Sequence, residues 1–130
     1  MSTFKLFSIG IISAILCHKA LATYNLSLDQ MYKLAKENVQ TPEGEKFDKE
    51  IELITRSKGS FDSNMQSCLM NTTPTNVYGV YSFTDNKGAY KVILRPKSDF
   101  SECVTKQLEG INLPSPPKAP YYSPFKINFR

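Results

Sequence analysis

Two cysteines bracket the most regular stretch of this chain, and that bracket limits the fold more than any other feature. Between Cys68 and Cys103 run VYGVYSFT, DNKG and AYKVILR. Two segments rich in β-branched and aromatic residues thus flank a short turn, with glycine where positive φ is wanted. The pattern predicts an antiparallel hairpin over Val77 to Thr84 and Ala89 to Arg95. Val77, Tyr81 and Phe83 share one side of the first strand, while Tyr90, Val92 and Leu94 alternate with Lys91 and Arg95 in the second. One covered face and one wet face are expected, as an antiparallel sheet allows.

The cysteines themselves fall on helical patterns. Phe61, Met65, Cys68 and Leu69 share one side of a helix that begins at Ser60 and is stopped by Pro74. Phe100, Cys103, Val104, Gln107, Leu108 and Ile111 follow the same period, behind a cap at Ser98 or Asp99 and ahead of Gly110. Both thiols therefore point at the core, and a bond between them would clamp two helices across one side of the sheet.

The compartment bears on whether that bond forms. Met1 to Lys5 carries one positive charge, Leu6 to Cys17 is an apolar run, and Ala20-Leu21-Ala22 has small residues where a signal peptidase reads. The apolar run is too short to span a bilayer at about 20 residues. Residues 1–22 are read as a signal peptide cleaved between Ala22 and Thr23, with an uncleaved anchor as the alternative. Cleavage removes Cys17 and leaves two cysteines in an exported chain, where oxidising conditions favour pairing over two free thiols. It also removes Lys5 and Lys19, so 14 basic residues face 12 acidic ones, a balance of +2. No block of like charge accompanies that balance, which argues against a nucleic-acid partner. No stable membrane span is expected after cleavage.

Residues 23–59 read as a helical pair. Ser27 with Gln30 makes a capping box, Leu26 and Met31 a hydrophobic staple, and Leu28, Met31, Tyr32, Ala35 and Val39 one apolar face. Pro42 opens the second helix, Phe47, Ile51 and Ile54 form its stripe, and Glu45–Lys49 and Glu52–Arg56 pair on its wet side up to Gly59. At the other end Leu113 to Pro124 holds five prolines and reads as an extended link. A final strand follows, with Phe125, Ile127 and Phe129 on one side and Lys126, Asn128 and Arg130 on the other. Tyr121 and Tyr122 are candidates for an aromatic contact site, with core packing expected of at least one. Asn25-Leu26-Ser27 and Asn71-Thr72-Thr73 match the glycosylation sequon.

Catalysis finds little support. His18, the single histidine, leaves with the signal segment, which removes the commonest general base and metal ligand. The sequence has no GxSxG, HExxH, P-loop or zinc-spaced cysteine set. Asp99 and Glu102 lie in a first helical turn, where they favour the helix dipole. No enzyme activity, metal or cofactor is expected.

Residues 61–130 resemble the C-terminal domain of the TonB family, especially its AgmX-type relatives. The matching features are the helix bearing Cys68, GVYSFTDNKGAYKVIL from Gly79, SECVTKQLEGINLPSPP around Cys103, and the closing PFKINF. Leu113-Pro114-Ser115-Pro116 fits the family's aromatic-Pro-x-Pro link with leucine in the aromatic position. The resemblance implies an α+β domain with a three-stranded antiparallel sheet packed on helices. It also implies a protein-binding role in a Gram-negative envelope, without catalytic residues. Energy transducers of that family carry a membrane anchor and a long proline-rich spacer. Here the expected cleavable signal leads into the helical pair, so a stand-alone periplasmic or secreted module is implied. An envelope or extracellular protein partner would add a strand to the edge of the terminal or hairpin strand, flanked in the terminal-strand case by Lys126, Asn128 and Arg130. A secreted effector or inhibitor acting through its N-terminal helices is the alternative.

Overall fold

The computed structural model describes residues 25–57 and 61–129. The expected signal segment, its cleavage point at Ala22 and Thr23, Gly59, Ser60 and Arg130 lie outside them. The elements in order are α1 (Leu28–Asn38), α2 (Pro42–Ser57), α3 (Phe61–Asn71), β1 (Val77–Phe83), β2 (Tyr90–Arg95), α4 (Asp99–Glu109) and β3 (Tyr121–Ile127). This is an α+β fold with one disulfide.

Local chemistry sets most boundaries. Ser27 Oγ accepts from the Gln30 backbone N–H at 3.2 Å while Gln30 Oε1 accepts from the Ser27 N–H at 2.8 Å, a closed capping box. Ser98 caps α4 the same way, with Ser101 as its reciprocal partner. Glu45–Lys49 and Glu52–Arg56 form ion pairs on the exposed side of α2, at 2.8 and 3.0 Å. Gly88 takes φ of 94° in the hairpin loop, a conformation side chains disfavour.

The three strands are antiparallel in the order β2-β1-β3, so the hairpin's first strand is central and both its partners are edges. Phe83 opposes Tyr90 on one side and Tyr121 on the other, and cross-strand partners share a face. Val77, Tyr81, Phe83, Val92, Leu94 and Tyr121 face one way, onto Phe47 and Ile51 of α2, Cys68 of α3 and Phe100, Val104 and Leu108 of α4. Phe83 and Phe100 are fully buried there, each contributing about 1.5–3 kcal/mol of transfer free energy. Cys68 and Cys103 join α3 to α4 with their Cα atoms 5.7 Å apart, the helix clamp their spacing predicts. The Tyr90 hydroxyl lies between the carbonyls of Leu108 and Ile111 and ties β2 to the end of α4.

Two expectations need correction. The second face is not wet: Val80, Tyr122 and Ile93 pack there against Ala35, Leu28, Met31 and Tyr32, so α1 covers β1 and β3. The apolar stripe of α1 requires such a surface, and Val80 on the reverse side of β1 supplies it. Only the β2 strip of that face, with Lys91 exposed and Arg95 half-buried, stays open. The last strand also starts at Tyr121 rather than Phe125, because an edge strand tolerates Pro124 where a central one does not. The helices expected as a pair over 23–59 thus divide between the two cores, α1 on one face and α2 on the other.

Candidate functional site

The two edges of the sheet each run beside a cleft. The first lies between α2 and β3 and encloses about 520 Å³. Asp48, Ile51, Glu52, Thr55 and Arg56 recur at helical spacing along α2 and form one wall. Pro124, Phe125 and Lys126 of β3 form the other, with Tyr81 of β1 and Asp62 of α3 between them.

Several polar groups lie in and beside this cleft. Ser123, fully buried, donates its hydroxyl to Asp48 Oδ1 at 2.6 Å. Burial holds the Asp48 carboxyl above its usual range, the Ser123 hydrogen bond pulls it down, and nearby Glu52 pushes it up. Burial raises the Tyr81 hydroxyl well above the ordinary phenol range, with Thr55 beside it acting in the opposite sense. Burial and then the charge of Asp48 raise the Tyr121 hydroxyl. Thr55 is 7 % exposed, and its Oγ1, like the Tyr121 hydroxyl, meets no partner in hydrogen-bonding geometry. The apolar part of the lining is Ile51, Pro124 and the Tyr81 and Phe125 rings, which meet edge-on at 5.9 Å.

The second cleft, of about 440 Å³, follows the outer edge of β2 along α4. Val92, Ile93, Leu94 and Arg95 line it on the strand side, and Ser101, Glu102, Thr105 and Lys106 on the helix side, with Lys97 at one end. Arg95, Lys97 and Lys106 against Glu102 leave this groove two positive charges in excess. The Ser101 and Thr105 hydroxyls are already committed, donating to the carbonyls of Ser98 and Ser101.

The two edges differ as templates for a further strand. On β3 the Tyr122 carbonyl already accepts from Asn38 Nδ2 at 3.0 Å, and Pro124 offers no N–H. Proline in the middle of an edge strand blunts it against pairing. On β2 the Leu94 carbonyl accepts from Arg95 Nη1 at 3.1 Å and Lys91 is exposed, but the strand interior contains neither proline nor glycine, and Pro96 follows its end.

The expected partner-binding residues scatter. Tyr121 and Tyr122, 2 % and 7 % exposed, are core residues of opposite faces, which corrects their reading as a contact site. Both lie inside β3, so the alternation of the strand turns one ring toward Phe47 and the other toward α1. Lys126 is exposed at the mouth of the α2–β3 cleft, and Asn128 is exposed just past the end of β3. Phe129 beside it folds back, its ring 5.7 Å from Phe100 and its N–H donating to Asn76 Oδ1. Sequence reasoning missed Asp48, Thr55 and Ser123. Asp48 sits among the charges of α2, and only the fold brings it to a serine 75 positions away. Among the described residues no three cysteine, histidine or acidic side chains are grouped to hold a metal ion. None of their helices is long and apolar enough to cross a membrane. No family model matches the sequence, and no curated protein or solved structure matches it.

Proposed function

We propose that this chain is an exported, non-catalytic interaction module that takes an extended segment of an envelope or extracellular protein as a fourth strand beside β2. The observation that carries the reading is the unpaired edge of β2 running along a groove against α4. Strand addition draws its affinity from main-chain hydrogen bonds and its selectivity from pockets that take alternate side chains. The excess of positive charge from Arg95, Lys97 and Lys106 selects for an acidic segment. The TonB-like order of elements supports a binding role, and the proline inside β3 favours β2 over the terminal strand. The disulfide supports export, since such bonds persist in oxidising compartments.

A photoreactive side chain in place of Lys97, compared with one in place of Lys126, tests the site in the natural extracellular and envelope fractions. Adducts to another chain are expected from position 97, weakened by Lys106→Glu, with slowed hydrogen exchange of the β2 amides in the complex. Adducts from position 126 alone, or unchanged β2 exchange, sink the reading. A mature N-terminus at Thr23, read by mass, tests the export signal.

A further inference from the structure

We propose that the α2–β3 cleft binds a primary ammonium or guanidinium group carried on an apolar stem, with the Asp48 carboxylate as its anchor. The charge arrangement is the first support. Asp48 has a neutral partner, the Ser123 hydroxyl at 2.6 Å, and among the described residues no cation within ion-pair reach. The cations of α2 nearest in sequence are engaged elsewhere, Lys49 with Glu45 and Arg56 with Glu52. Asp48, Glu52 and Asp62 against Arg56 and Lys126 leave the lining one negative charge in excess. A partly buried carboxylate without a cation carries a desolvation cost that a bound cation offsets.

The second support is independent of charge. Thr55 lies seven positions after Asp48 on the same helix face and lines the cleft. It is more than nine-tenths buried, and its hydroxyl, beside that of Tyr81, meets no partner in hydrogen-bonding geometry. A carboxylate and the lone pairs of a hydroxyl are both acceptors, and an ammonium or guanidinium offers donors alone. An anionic ligand would meet the Asp48 charge and lacks a donor for these groups. The walls fit the stem: Ile51 and Pro124 are apolar, and the Tyr81 and Phe125 rings suit a cation approaching over an aromatic face. At about 520 Å³ the cleft is within the size range of small-ligand sites.

Such a group comes either as a free alkylamine or as a lysine or arginine side chain of another protein. The test is a titration of the full oxidised chain, followed by amide and methyl resonances at neutral pH. The probes are n-butylammonium and Nα-acetyl-lysine methylamide, with 1-butanol as the uncharged control. Saturable shifts at Asp48, Thr55 and Phe125 are expected with the cations and not with the alcohol. Asp48→Asn keeps an acceptor for Ser123 and should weaken binding about tenfold. Thr55→Val should weaken it about threefold while raising the melting temperature of the free protein, since it removes an unpartnered hydroxyl. Tighter binding of the lysine derivative assigns the site to a side chain, and equal or tighter binding of butylammonium assigns it to a free amine. No saturable shift with either cation, equal binding of 1-butanol, or full affinity in Asp48→Asn overturns the proposal. If Asp48→Asn loses the native spectrum, unweakened binding to Thr55→Val overturns it instead.

Discussion

Reduction of the Cys68–Cys103 bond should cost this protein a large part of its stability. The two residues are separated by 35 positions, and the chain-entropy relation gives about 3.8 kcal/mol at 25 °C for closing a loop of that length. Domains of this size have a net stability of about 5–15 kcal/mol, so the loss should be unmistakable. With a urea slope of about 1.5 kcal/mol per molar, the midpoint should fall by roughly 2.5 M. Urea unfolding of the oxidised and the dithiothreitol-reduced protein, followed by near-ultraviolet dichroism of its tyrosines, provides the comparison. Reduction keeps both sulfur atoms and so isolates the constraint on the unfolded chain. The double variant Cys68→Ala with Cys103→Ala also leaves a small void at Cys68, which is fully buried, and should lose about 1 kcal/mol more. A loss under about 1 kcal/mol on reduction, with an unchanged slope, would refute the reasoning. It would mean that α3 and α4 are held together by their packing and that the bond restricts little in the unfolded chain.

Other perturbations probe the sheet, the cleft and the caps. In Gly79→Ala the new Cβ would lie 1.8 Å from the Ile93 carbonyl oxygen, a backbone atom on the neighbouring strand. A loss of about 3 kcal/mol is expected by thermal or urea unfolding, and an unchanged midpoint would contradict the register. Because burial raises the Asp48 carboxyl in the folded state, that group binds its proton more tightly folded than unfolded. Its contribution to stability is therefore present at pH 3 and lost as the pH rises through its folded value. Asp48→Asn should raise the urea midpoint at pH 7 relative to the natural protein and leave it nearly unchanged at pH 3. Ser98→Ala opens the capping box of α4 and should cost about 1 kcal/mol, measured by the same unfolding curves.

The helices were the most legible part of the fold, because capping and apolar period are local signals. Ser27 with Gln30, Pro42 and Ser98 occupy the positions that local chemistry assigns them. The stripe of α2 was legible except at its end, where Thr55 is buried and Ile54 half-buried. The hairpin was readable from its turn and its β-branched runs. The start of β3 was not, since Pro124 and the neighbouring prolines resemble a linker until an edge strand is there to tolerate them. The second core was missed for a related reason. Val80 on the reverse side of β1, set beside the unassigned stripe of α1, was the available signal for a sheet covered on both faces. The α2–β3 cleft was hardly legible at all, because Asp48 carries no mark that separates it from the other acids of α2.

By itself the sequence determined what short-range physics governs: where helices start, which side chains share a face, that the hairpin turns at Gly88, and that both cysteines point inward. Those properties depend on residues within about four positions of each other, so they hold whatever the rest of the chain does. The tertiary structure alone decided which strands are edges, which face each helix covers, and which polar groups meet. Order β2-β1-β3 leaves β2 open beside α4 and brings Ser123 to Asp48. The physical reason is that burial and electrostatic environment are set by whatever packs against a residue from afar. Asp48 and Glu45 are both acids of α2; one lies exposed beside a lysine, and the other is half-buried at the wall of a cleft.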